Sequence, residues 1–177
     1  MKKVIVFILL SIFSLCLFAV STGSMNFNVH WIVNNVKTTT IDVLPYSGEG
    51  TLPQDAEDHY LKTIEPLLNS SVYNVCLVKY RTNEKGTHRI EFSATPMESA
   101  ETSEEFGYSL YITYNNGFPV ILDVIPGESE NAKVITFSVI GSGEVVADIY
   151  LDAMMTELDV MDIGDYSSIV TIARISE

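Results

Sequence analysis

The residues able to do chemistry are few and scattered. The three histidines, His30, His59 and His88, lie in separate stretches, none with a second His or Cys close by. Zinc ligands usually come close together in sequence, so these read as ordinary surface or boundary histidines, and no metal residue is assigned. Gly141-Ser142-Gly143 lacks the Gly-x-Ser-x-Gly pattern of a hydrolase elbow and reads instead as a tight turn that uses glycine's backbone freedom. Cys76, between Val75 and Leu77, reads as a small buried apolar residue rather than a reactive thiol. The chain has 23 acidic residues, and paired carboxylates can cleave a glycosidic bond when a fold sets them on opposite sides of it; their spacing defines no such pair. Asp159, Asp162 and Asp165 recur at every third position. Oxygen ligands so spaced could hold calcium, but the distal Glu of the EF-hand is missing, and they read as solvated turn residues. Asn69-Ser70-Ser71 is a formal glycosylation sequon. No catalytic residue and no cofactor site emerges, and the expectation is a protein that is not an enzyme.

Two groups of residues suit binding instead. Tyr108, Tyr111 and Tyr114 occupy both faces of one extended stretch, and Tyr73 and Tyr80 flank another. Tyrosines on a rigid sheet lose little entropy when they bind a ligand, and tyrosine is also a favoured strand residue; Tyr108, Tyr111 and Tyr114 are the candidate ligand face. The second group is Met25, Phe27, Val29, Trp31 and Val33, which alternate with polar residues and so share one side of a strand. That alternation fits a strand exchanged with a neighbour, and equally the first strand of the chain's own sheet.

The elements that must position these residues are mostly strands. Period-two patterning marks about nine of them: 25–33, 38–44, 72–80, 88–94, 108–114, 120–125, 133–140, 145–153 and 167–175. Residues 81–87 suit a hairpin loop, Asn116-Gly117 a tight turn, and 96–107 an acidic loop carrying Glu98, Glu101, Glu104 and Glu105. One short helix is expected over 53–68: Pro53 opens it, Asp55, Glu57 and Asp58 favour its N-terminal dipole, Tyr60, Leu61 and Ile64 form its apolar side, and Pro66 ends it. Short strands with turns between them predict two antiparallel sheets packed face to face as one domain over 22–177, with a closed barrel as the alternative.

Met1-Lys2-Lys3 followed by an apolar run from Val4 to Val20 has the form of a signal peptide, 1–21, with Ala19-Val20-Ser21 supplying small residues before the cut. The run falls short of the roughly 20 apolar residues of a spanning helix, so no stable membrane span is expected after cleavage. Removing the leader takes two of the ten basic residues and none of the acidic ones, moving the net charge from −13 to −15. Such a charge repels phosphate backbones and anionic lipid, which disfavours nucleic-acid and membrane-surface binding. With Cys16 in the leader, Cys76 is the one mature cysteine and no internal disulfide can form.

Gly164-Asp165-Tyr166-Ser167-Ser168-Ile169-Val170-Thr171-Ile172 resembles the final strand of bacterial pilin-like domains, including the spore coat protein U type, and Tyr108-Ser109-Leu110-Tyr111-Ile112 resembles their central strand. The resemblance covers about the last 80 residues. It implies an immunoglobulin-like sandwich of the periplasm or cell surface, a structural or adhesive subunit whose partners are other copies of itself or a periplasmic chaperone. Completion of an open groove by a donated strand is the physical basis of such assembly. A carbohydrate- or small-ligand-binding module is the alternative expectation.

Overall fold

The computed structural model describes residues 24–32, 39–47, 59–64, 72–128, 131–140, 144–155 and 164–175. The expected leader, Val33, the sequon 69–71, the turn 141–143, Asp159 and Asp162 lie outside the described residues.

The described residues form twelve strands: β1 (Met25–Ile32), β2 (Thr39–Leu44), β3 (His59–Ile64), β4 (Val72–Thr82), β5 (Gly86–Ala94), β6 (Met97–Ser99), β7 (Glu105–Phe106), β8 (Tyr108–Tyr114), β9 (Val120–Val124), β10 (Asn131–Val139), β11 (Val145–Met154) and β12 (Tyr166–Ile175). One sheet runs β10-β5-β12-β1-β3, with β6 and β7 attached beside β12; the other runs β2-β4-β11-β8-β9. The chain is therefore mainly β in two sheets, and all nine expected strands are among the twelve.

Alternation explains why the sheets face each other. In β1, Met25, Phe27, Val29 and Trp31 are buried, while the residues between them are half-exposed. In β8, Tyr108, Leu110 and Ile112 do the same from the other sheet, and the Phe27 and Tyr108 rings meet edge to face at 5.5 Å. Tyr108 also crosses the core with its hydroxyl, 2.7 Å from Ser168 Oγ on β12. Ser168 spends its proton on the Thr95 carbonyl, so the Tyr108 phenol is the donor. Burial of that phenol pushes its pKa up.

β1 is paired along both of its edges. It pairs in parallel with β12, the last strand, over eight residues from Met25↔Tyr166 to Ile32↔Ala173. On its other side it pairs antiparallel with the edge strand β3, from Met25↔Ile64 to His30↔His59. Ser24 fastens its start, with both its amide and hydroxyl donating to Asp165 Oδ1.

Four expectations are corrected. No helix occurs among the described residues, and His59–Ile64, inside the expected helix, is the strand β3. Tyr60, Leu61 and Ile64 satisfy both periods on paper. The ladder with β1 decides between them: Ile64 is buried and Leu61, which a helix would have turned inward, is 53% exposed. The stretch 81–87 does not close a hairpin, because β4 and β5 belong to different sheets; residues 83–85 carry the chain across the end of the sandwich. The acidic loop contains β6 and β7, anchored by the buried Met97 and Phe106. The sharp turn after β8 has its left-handed residues at Asn115 (φ 45°) and Asn116 (φ 57°), with the Gly117 amide donating to the Tyr114 carbonyl at 2.8 Å. That is one position earlier than Asn116-Gly117 implied.

Candidate functional site

The expected ligand face does not hold together as one surface. Tyr108 is buried in the core, and Tyr114 turns inward to stack on Phe137, with centroids 5.3 Å apart. Only Tyr111 stands on the outer face of the five-stranded sheet, where its hydroxyl reaches Met154 Sδ at 3.2 Å.

Around Tyr111 that outer face carries a different cluster. β11 presents Asp148, Tyr150, Asp152 and Met154 outward in alternation with the buried Ala147, Ile149, Leu151 and Ala153. The ladder sets Asp152 opposite Tyr111 on β8 and Tyr150 opposite Leu77 on β4, and β2 places Leu44 opposite Leu77. Tyr46, in the turn after β2, leans over this row. Its ring lies 5.3 Å from that of Tyr150 at 60°, and its hydroxyl donates to Asp152 Oδ2 at 3.1 Å. Leu77 is consequently only 2% exposed, although it faces away from the core.

The electrostatics follow from this partial cover. Desolvation, opposed by the Tyr46 hydrogen bond, raises the Asp152 pKa. Desolvation and the neighbouring carboxylate push the Tyr46 phenol up to about 12. Asp152 Oδ1 is shielded from solvent and has no hydrogen-bond partner among the described residues. The cations on this face are engaged elsewhere, Lys79 with Asp148 at 3.9 Å and Arg81 with Asp42 at 3.3 Å. Asp148 and Asp152 are four residues apart along one strand, about 13 Å by strand rise, beyond the roughly 9.5 Å that a pair of glycosidase carboxylates tolerates. What the arrangement offers is a shielded acceptor beside three phenol rings, the makings of a binding surface.

The remaining sequence candidates are placed as follows. Met25, Phe27, Val29 and Trp31 all face the core from β1. Cys76 is fully buried, and burial raises its thiol pKa, with Asp152 adding to the shift. Asp165 is occupied by Ser24. His88, expected near the surface, is 3% exposed, because β5 turns it inward beneath Phe137. Among the described residues, no group of three or more His, Cys, Asp and Glu side chains is placed to hold a metal ion. No helix there is long and apolar enough to cross a membrane. Sequence reading missed Tyr46 and Asp152 because 106 positions separate them; the alternation of β11 was the one available signal. Compared with known proteins, the chain matches no family model and no curated sequence.

Proposed function

We propose that this chain is an exported, non-enzymatic β-sandwich protein of immunoglobulin-like type, acting as a structural or adhesive subunit in the periplasm or at the cell surface. The observation that carries the reading is the seat of β1. The strand that follows the expected leader fills a slot between β12 and β3, and it does so with backbone ladders on both sides and four apolar plugs, Met25, Phe27, Val29 and Trp31. These are the two components by which an added strand binds a sheet. A slot of this form accepts the chain's own strand or an identical one from a neighbour, and a periplasmic chaperone would guard it before assembly. The pilin-like pattern of β8 and β12 agrees with this reading.

The register supplies the test. Asn28 lies opposite Ile169, so the double substitution Asn28→Cys and Ile169→Cys places two thiols on neighbouring strands, within the roughly 4.4–6.8 Å between Cα atoms that a disulfide requires. If copies exchange β1, oxidation gives a covalent ladder on non-reducing gels. A single fast-running monomer band at every concentration would show β1 to be intrinsic and overturn the subunit reading.

A second reading, a carbohydrate- or small-ligand-binding module, is favoured by one specific observation: the Tyr46, Tyr150 and Tyr111 rings beside Asp152, whose Oδ1 has no hydrogen-bond partner among the described residues.

A further inference from the structure

The two most exposed large apolar side chains among the described residues, Phe118 at 99% and Ile140 at 88%, stand at one corner of the sandwich. β9 and β10 are neighbouring edges of the two sheets. Phe118 lies just before β9 and Ile140 just after β10, and the stack of Tyr114 on Phe137 joins the sheets at that corner. The turn that carries Phe118 is tied to β11, with the Asn115 amide donating to the Asp148 carbonyl at 3.0 Å and the Asp148 amide to Asn115 Oδ1 at 3.3 Å. Pro119 restricts Phe118 to extended backbone. A ring held out in this way loses little freedom when a partner covers it, and covering it removes apolar surface from water.

Charge decides what covers the corner. Val139 pairs with Gly86, so Ile140 leaves β10 beside Lys85. Lys85 is exposed and makes no ion pair among the described residues. The far end of β9 has the reverse character. Ile125 is exposed there, the Gly127 amide donates to Glu105 Oε2 at 2.8 Å, and the exposed Glu128 closes the turn with its amide on the Ile125 carbonyl at 3.3 Å. Neither 96–107 nor 123–128 contains a Lys or Arg. A chain with a net charge of −13 repels its own copies in most orientations, whereas the approach of Lys85 on one copy to Glu105 and Glu128 on another is attractive.

We infer that Phe118 and Ile140 form a docking corner for a second copy of this chain, which offers the Ile125–Glu128 turn at the far end of its own β9, with Lys85 facing Glu128. The two surfaces differ, so the contact is head-to-tail and propagates along a row of copies instead of closing on a pair. It extends the subunit reading by a contact separate from the β1 slot, since β1 sits between β12 and β3, away from the β9 and β10 edges. Two apolar side chains and one ion pair make a small, weak interface, and salt screens its electrostatic part.

The test is sedimentation velocity of the protein at low salt, from micromolar to millimolar concentration. The expected result is an average mass that rises with concentration and rises less in high salt. Phe118→Ser, checked for an unchanged circular dichroism spectrum, should weaken association about tenfold or more. Lys85→Glu alone and Glu128→Lys alone should each stay monomeric, and their equimolar mixture should associate again, because each variant then meets an opposite charge at both of its ends. A parent protein that remains monomeric at millimolar concentration overturns the inference. So does association that survives Phe118→Ser and high salt, which would assign it to β1 exchange, or a mixture that fails to associate. If the parent floats with neutral phosphatidylcholine vesicles and Phe118→Ser does not, the corner serves a bilayer and the inference is likewise overturned. Disulfide trapping of β1 reads a different surface, so either contact can fail alone.

Discussion

Two polar clusters, one at an end of the sandwich and one on its outer face, differ in whether their hydrogen bonds close. At the end, Tyr80, Glu84, His88, Arg174, Thr39 and Thr82 join four strands and a connection. His88 Nε2 lies 3.0 Å from the Glu84 carbonyl. A carbonyl can only accept, so Nε2 carries the proton, and in the neutral ring Nδ1 receives the Tyr80 hydroxyl at 2.7 Å. Arg174 ion-pairs with Glu84 and donates to Thr39 Oγ1, which lies 2.9 Å from Thr82 Oγ1. On the outer face, by contrast, Tyr46 satisfies one oxygen of Asp152 and leaves the other without a donor among the described residues. A buried polar network that closes fixes a structure, whereas one left short of a donor stores a cost that an incoming group can relieve. The first cluster is thus read as architecture and the second as a place to bind.

That contrast breaks most easily at His88. His88→Ala removes a ring stacked on Phe137 at 17° and leaves the Tyr80 phenol with a lost acceptor. The expected loss, cavity and lost acceptor together, is about 3 kcal/mol in urea-unfolding experiments. A loss no larger than that of a surface substitution would show that the cluster does not hold the end of the sandwich. Tyr80→Phe is the finer cut. It keeps the edge-on contact with Phe137 at 5.3 Å and deletes the hydroxyl that serves Nδ1 and also interacts with Thr39 and Thr82, and should cost about 1–2 kcal/mol. Equality between the two variants would mean that the hydrogen bond, rather than the packing of the imidazole, carries the whole effect.

The same contrast explains what could be read in the sequence and what could not. Strands were legible wherever alternation ran for five or more residues, as in β1, β8 and β11, because a sheet with one buried face imposes period two. β3 was misread as helix because six residues containing Tyr60, Leu61 and Ile64 fit either period, and the decision belongs to β1, which lies 29 or more positions away. The sheet change between β4 and β5 was hidden for a related reason: a polar stretch with a glycine serves a hairpin or a crossover equally well. His88 shows the limit for sites. Its burial depends on Tyr80 across the end of the sandwich and on Phe137 in the neighbouring strand, and no local pattern announces either. The Tyr46–Asp152 contact is a long-range pairing of the same kind.

The smallest expected effect is also the one that separates the clusters by sign. Asp152→Asn retains an oxygen to accept the Tyr46 hydroxyl and removes a charge that the face disfavours. Because burial raises the folded-state pKa of Asp152 above its ordinary 3.8, the folded protein holds that proton more tightly than the unfolded chain does. Its stabilising contribution is therefore fully present below 3.8 and is lost as pH rises through the raised folded value. The stability of the parent protein minus that of Asp152→Asn should accordingly fall as pH rises from the acid side and level off towards neutrality. There the variant should be equal to or more stable than the parent, by under about 1 kcal/mol because the face remains partly solvated. Urea unfolding of both proteins across that range measures the difference. If it does not change with pH, or if the variant is the weaker protein at neutrality, then Asp152 is as well satisfied as His88 and the two clusters are alike.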